Sequence, residues 1–189
     1  MHHNMKSNAA QIPCGKCDGY AGGKFLSLPG RSFGVKRRAV SDIPFFHEVH
    51  TSDKLDALLP AADVLIAALP QTENTISMLN GRRLRLMKRG AYLVNIGRGS
   101  AVDTNALTKA LRRRELAGAA LDVTYPEPLP KGHPLWTMEN VVITPHVSGN
   151  YDVPETLERI VEIAEENLRR FYGGRPLLNQ VDRKTGYCI

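Results

Sequence analysis

The chain has 189 residues, 42% of them hydrophobic, and a formal net charge of +6, a size and composition that suit one domain with a real core rather than two full ones. No apolar run approaches the ~20 residues of a membrane span and no signal-peptide stretch opens the chain, so no membrane is expected and the cytoplasm is the expected compartment. The basic residues are scattered through helical stretches such as Arg82, Arg83, Arg85, Lys88 and Arg89, without interleaved aromatics, so no nucleic-acid partner is expected.

Residues 1 to about 30 show no sustained periodicity and contain Gly15, Gly19, Gly22, Gly23, Pro29 and Gly30, which predicts a poorly structured N-terminal segment, 1–30. Cys14 and Cys17 form a Cys-x-x-Cys, but Cys188 stands alone at the other end and no second pair completes a tetrahedral site. They read as reduced thiols in a tail, and no metal is expected. Residues 31–189 read as one unit. Residues 32–36 form a short strand, and the apolar run 63–69, ended by Pro70, has the character of a strand covered on both faces. Further strands follow at 91–96, 119–123 and 141–144, the last before Pro145.

Helices fall between them at 52–59 with Ser52 as N-cap, at 81–87, and at 104–113 with Asp103 as cap. The last helix is the best defined. Asp152 can cap it, Glu155 sits three residues on, and Val153, Leu157, Ile160, Val161, Ala164, Leu168 and Phe171 recur at helical spacing until Gly173 and Gly174 stop it. Alternation of strand and helix predicts a parallel sheet with right-handed crossovers, hence a doubly wound α/β domain in which ligands bind beyond the carboxyl ends of the strands.

Three strand ends carry chemistry. Asn95-Ile96-Gly97-Arg98-Gly99 offers a tight glycine-flanked turn and a planar guanidinium fork suited to a carboxylate, although an Arg there can equally be a surface residue. In Asp122-Val123-Thr124-Tyr125-Pro126-Glu127-Pro128, two prolines stiffen the backbone around Glu127, which can also be read as an exposed or capping Glu. Thr144-Pro145-His146-Val147-Ser148-Gly149 places His146 just past a strand, where a lone His is often structural. Together they make a set: a His needs a carboxylate to fix its tautomer, and a 2-oxo acid needs a cation for its own carboxylate.

The segments LVNIGRGSAVD, LAGAALDVTYPEPLP, HPLW and NVVITPHVSGN, in this order and spacing, resemble the signatures of the D-isomer-specific 2-hydroxyacid dehydrogenases, from about Ser32 to the C-terminus. The resemblance implies that His146 is the acid/base at the substrate carbonyl oxygen, that Glu127 orients it, and that Arg98 binds the substrate carboxylate. It implies an NAD(P) cofactor bordered by Leu69, Pro70, Thr72, Ile96, Gly97, Arg98, His146, Ser148 and Gly149, with Asp122 near the nicotinamide carboxamide. Lys36 and Arg37, with Arg38, follow the second strand of such a domain, where basic residues favour the 2′-phosphate of NADP.

The sequence departs from that pattern in three places. Thr124 stands where the family often has Phe. No G-x-G-x-x-G precedes residue 32, nor the strand that should lead into it, so an incomplete doubly wound, Rossmann-like sheet with a long C-terminal helix is expected. Too few residues precede the match to form the family's substrate domain, so the chain reads as truncated and inactive alone. The resulting expectation is an oxidoreductase transferring hydride between NAD(P)H and a small 2-oxo acid such as glyoxylate or hydroxypyruvate. The alternative is a non-catalytic fragment that acts as an interaction module, or forms a homo-oligomer, through exposed Leu157, Val161 and Leu168.

Overall fold

A computed structural model describes residues 9–12, 30–37, 46–149 and 154–183. Contacts divide the chain into two compact units, Met1–Pro145 and His146–Ile189.

The first unit is built on a seven-stranded sheet, all parallel. Its strands are β1 (Ala9–Ile12), β2 (Ser32–Lys36), β3 (Glu48–Thr51), β4 (Val64–Ala67), β5 (Ala91–Asn95), β6 (Leu116–Leu121) and β7 (Val141–Ile143), in the order β3-β2-β1-β4-β5-β6-β7. Strand order reverses between β1 and β4. Right-handed crossovers leaving that point in opposite directions lie on opposite faces, which is the doubly wound arrangement.

β1 corrects the expectation for residues 1–30. Ala9–Ile12 pairs with β2 on one side and β4 on the other, so it is an interior strand of the sheet and supplies the strand that the sequence did not reveal. Cys14, Cys17 and the glycines of 15–29 lie outside the described residues, as do Arg38 and Cys188.

β4 and β6 follow the apolar runs because both faces of their inner portions are largely covered, whereas β5 alternates, with Ala91, Leu93 and Asn95 buried and Tyr92 exposed. Leu65, Leu93 and Leu116 are fully buried, each such side chain contributing about 1.5–3 kcal/mol of transfer free energy. Three helices connect or flank the strands: α1 (Leu55–Leu58), α2 (Gly81–Leu86) and α3 (Thr104–Arg112). Their buried residues Leu55, Leu84, Leu107 and Leu111 join Leu65 and Leu93 in a single core cluster.

The caps differ in one case. Asp103 caps α3 as expected, its carboxylate accepting from the Ala106 amide at 2.9 Å. Ser52 is not a cap: it lies inside a 3-10 turn, Ser52–Lys54, which precedes α1 and has no side-chain cap. At α2 the cap is Asn80, whose Oδ1 accepts from the amides of Arg82 and Arg83 at 3.1 Å each.

The second unit holds the long helix α4 (Pro154–Tyr172); Asp152, its expected cap, is outside the described residues. It ends at Gly173 and Gly174, where Gly174 has φ 61° and the Arg175 amide returns to the Arg170 carbonyl at 2.8 Å. The Asn167 side chain then holds Leu178 at both its amide (2.6 Å) and its carbonyl (3.2 Å). Leu157, Ile160, Val161, Leu168 and Phe171 on α4 are all exposed. No helix among the described residues is long and apolar enough to cross a membrane.

Candidate active site at the strand ends

Parallel pairing brings the strand exits of the first unit to one level. Ala67 is paired with Asn95, Asn95 with Leu121, and Leu121 with Ile143, so the segments after β4, β5, β6 and β7 leave the same edge side by side. The ladder continues one step beyond the strands: the amides of Ile96 and Asp122 donate to the Ala67 and Asn95 carbonyls at 2.9 Å, and that of Thr144 to the Leu121 carbonyl at 3.0 Å.

After β4, Leu69 is buried, Pro70 ends the strand, and the chain turns around Thr75. Thr75 is 2% exposed. Its hydroxyl donates to the Pro70 carbonyl at 2.7 Å and accepts from the Thr72 amide at 2.8 Å, tying together the ends of the loop that carries Thr72.

After β5, Asn95 organises the turn. Its buried side chain accepts from the Gly97 amide at 3.2 Å and donates to the Arg98 carbonyl at 3.1 Å, an Asx-type arrangement that fixes the backbone on both sides of the 97–98 peptide. The flanking glycines are required by space. A Cβ on Gly97 would stand 2.4 Å from the Leu69 nitrogen, and one on Gly99 would stand 1.9 Å from the Thr124 oxygen. The turn is thus wedged between the exits of β4 and β6, and Arg98 projects from its middle with an exposed side chain whose Nη1 donates to the Gly97 carbonyl at 2.9 Å. Ile96 beside it is exposed as well. Ser100 closes the turn onto the β4 exit by donating to Gln71 Oε1 at 3.0 Å.

After β6, Asp122 is only 5% exposed and accepts from the Thr144 hydroxyl at 2.5 Å, which joins the β6 and β7 exits. The loop then carries Tyr125 and Glu127 outward; Tyr125–Pro126 and Glu127–Pro128 are both cis. Two hydroxyls hold it. Thr104 donates to the Tyr125 carbonyl at 2.6 Å and Thr124 to the Pro126 carbonyl at 3.0 Å. Beyond the loop, buried Leu129 and the Trp136 indole, donating to the Pro130 carbonyl at 3.0 Å, anchor the chain on its way to β7.

Leu69, Pro70, Thr72, Ile96, Gly97, Arg98, Asp122 and Glu127 therefore all sit on strand exits of one sheet edge. His146, Ser148 and Gly149 belong to the second unit, which His146 opens three residues after β7, with φ 57° in the left-handed region where His is one of the more tolerant side chains. At the end of β2, Lys36 is buried at 8% while Arg37 is exposed. Sequence reasoning missed Asn95, Thr75, Thr124 and Thr144 as positioning groups. Of these only Asn95 carried a signal, as the Asx of an Asn-x-Gly turn. Among the described residues no three His, Cys, Asp or Glu side chains gather as a metal site.

Residues 29–148 match the family model described as D-isomer specific 2-hydroxyacid dehydrogenase, NAD binding domain. A glyoxylate reductase from Thermofilum pendens is 46% identical over 114 residues, covering 60% of this chain and 33% of that protein. A glyoxylate/hydroxypyruvate reductase A from Citrobacter koseri is 37% identical over 136 residues, covering 72% of this chain and 42% of that protein. Among solved structures, a D-isomer specific 2-hydroxyacid dehydrogenase from Xanthobacter autotrophicus in complex with NADPH and MES superposes with TM-score 0.85 at 34% identity, over 96% of this chain and 73% of that one. An NADPH-dependent glyoxylate/hydroxypyruvate reductase from Sinorhizobium meliloti in complex with NADP and sulfate gives TM-score 0.85 at 27% identity, over 98% of this chain and 58% of that one. The chain spans about half or less of the curated relatives it matches, from 52% down to 33% of their length.

Proposed function

The chain belongs to the D-isomer specific 2-hydroxyacid dehydrogenase family, and on that footing we propose that it is the cofactor-facing portion of an oxidoreductase that interconverts a small 2-oxo acid and its 2-hydroxy acid. The observation that carries this reading is the seating of Arg98. A guanidinium that merely decorates a surface needs no such support, yet this one stands on a turn pinned by buried Asn95 and wedged by Gly97 and Gly99 between two neighbouring strand exits.

The residues present suit a dinucleotide. Strand order reverses between β1 and β4, and the half-buried Ala68, Pro70 and Gly97 on the exits of β4 and β5 are small or apolar groups against which a cofactor's rings can lie. Leu69, Pro70, Thr72, Ile96, Gly97 and Asp122 would hold NAD(P) from this edge, where it would supply hydride. Arg98 binds the carboxylate of glyoxylate or hydroxypyruvate through its fork of donors. His146 gives a proton to the carbonyl oxygen as it becomes a hydroxyl, and Glu127 orients the imidazole and stabilises its charged form. Of the basic pair Lys36 and Arg37 at the end of β2, Arg37, which is exposed, favours NADP over NAD.

Arg98 and Glu127 are exposed and the described residues supply nothing that would exclude water from them, so the 189-residue chain alone is expected to bind cofactor weakly and not to turn over. Exposed Leu157, Val161 and Leu168 are what an interaction module would also show, but the family match supports the dehydrogenase reading over that alternative. A thermal-shift titration of the purified chain with NADH and NADPH tests the proposal. A dose-dependent rise in Tm is expected; no rise with either cofactor at millimolar concentration would overturn it.

A further inference from the structure

The β5 and β6 exits, which carry Arg98 and Glu127, meet at one residue. A Cβ on Gly99 would come within 1.9 Å of the Thr124 oxygen, 2.2 Å of its carbonyl carbon and 2.9 Å of its Cα, so the Thr124 peptide lies directly on the Arg98 turn. The side chain of the same residue is 9% exposed, and its hydroxyl donates to the Pro126 carbonyl at 3.0 Å, one peptide before Glu127. We propose that Thr124 is a positioning residue that sets the spacing between the Arg98 turn and the Glu127 loop, its backbone seated on Gly99 and its hydroxyl holding Pro126. The proposal rests on the reading of Arg98 and Glu127 as site residues.

Two considerations support it. Pro126 and Pro128 have no amide hydrogen, which removes two of the loop's backbone donors, and hydroxyls hold two of its carbonyls in succession. The two hydroxyls also differ in reach. The Thr104 hydroxyl, at the start of α3, reaches the Glu127 loop at the Tyr125 carbonyl, whereas Thr124 joins the loop and the Arg98 turn through its hydroxyl and its backbone. Phe, which the family resemblance leads one to expect here, could keep the backbone contact but has no hydroxyl for Pro126.

Nuclear magnetic resonance of the ¹⁵N-labelled chain tests this without a ligand, so failure of the cofactor proposal and failure of this one remain distinguishable. Thr124→Val removes the hydroxyl and keeps the shape. It is expected to shift the Glu127 amide and the Arg98 Nε–Hε signal and to lower the heteronuclear NOE of Tyr125 and Glu127, with the β4 and β5 amides unchanged. Thr124→Ser should restore all of these. Thr104→Val should move Glu127 and leave Arg98 in place. Thr137→Val, which removes a similar hydroxyl bond to the Pro134 carbonyl outside the site, should move neither. Unchanged Glu127 and Arg98 signals in Thr124→Val, or a Ser variant that behaves like Val, would overturn the proposal. If Thr124→Val does not fold, Thr124→Ala removes the hydroxyl together with the γ-methyl, and the same outcomes decide.

Discussion

Gly97 and Leu69 approach so closely that a Cβ on the glycine would stand 2.4 Å from the Leu69 nitrogen and 2.6 Å from its oxygen. Backbone atoms at that distance cannot give way as a flexible side chain would, and the β4 and β5 exits must separate to admit a methyl group. Gly97→Ala is therefore expected to destabilise by about 1–3 kcal/mol, as overpacking does, with Tm falling by roughly 2–4 °C for each kcal/mol. Gly132→Ala is the control, since nothing lies within 4 Å of its Cβ position. Equal Tm values for the two variants would refute the close approach.

Asn95 supports the same turn from beneath. Asn95→Ala leaves the Gly97 amide and the Arg98 carbonyl without the buried side chain that now satisfies both, a loss of about 1–3 kcal/mol. Urea unfolding should show a lower midpoint at unchanged m-value. Wild-type stability in this variant would mean that the turn holds itself.

Much of this architecture was legible because β4, β5 and β6 are apolar runs and three loop motifs fall after β5, β6 and β7. Two strands were not. β3 reads Glu48-Val-His-Thr51 and is only partly buried throughout, so it shows no apolar run, and its place in the sheet depends on pairing with β2. β1 is four residues long in a stretch without periodicity and is defined by neighbours on both sides. The helix at 81–87 reads without a cap in the sequence, and Asn80 supplies it. Arg98, Glu127 and His146 could be named from residue type and motif. Thr75, Thr124 and Thr144 could not, because a Thr hydroxyl has no role until the loop folds around it and supplies the carbonyl or carboxylate to which it donates.

A charge effect on stability follows from Asp56. Hydrogen bonds from Arg83 Nε at 2.7 Å and Arg82 Nη2 at 2.6 Å hold its carboxyl below the ordinary value of 3.8. A group whose pKa is depressed by folding contributes stability above its unfolded value and loses it as pH falls through the lower folded value. Wild type should thus lose its advantage over Asp56→Asn below pH 3.8, and the advantage at neutral pH should be about 1 kcal/mol at most, because the pair is well exposed. Urea midpoints of both proteins at neutral and acidic pH check this; a gap that widens on acidification would contradict it.

Cofactor choice is expected to depend on Arg37, the exposed member of the basic pair at the end of β2, rather than on Lys36, which is buried at 8%. Arg37→Ala should weaken NADPH by roughly tenfold, as loss of one charge-assisted contact to a phosphate does, and leave NADH unchanged. Calorimetric titration with each cofactor measures the ratio. Equal losses for both would remove Arg37 from the specificity account.

The central claim is that the exits of β4, β5 and β6 form a nicotinamide-dinucleotide site, and amide chemical-shift mapping of the labelled 189-residue chain with NADPH tests it most directly. The expected result is saturable perturbation at Leu69, Thr72, Ile96, Gly97, Arg98 and Asp122, weakened in Gly97→Ala and absent from the α2 and α3 amides. No perturbation at those exits at millimolar NADPH or NADH, or perturbation confined to another surface, would contradict it.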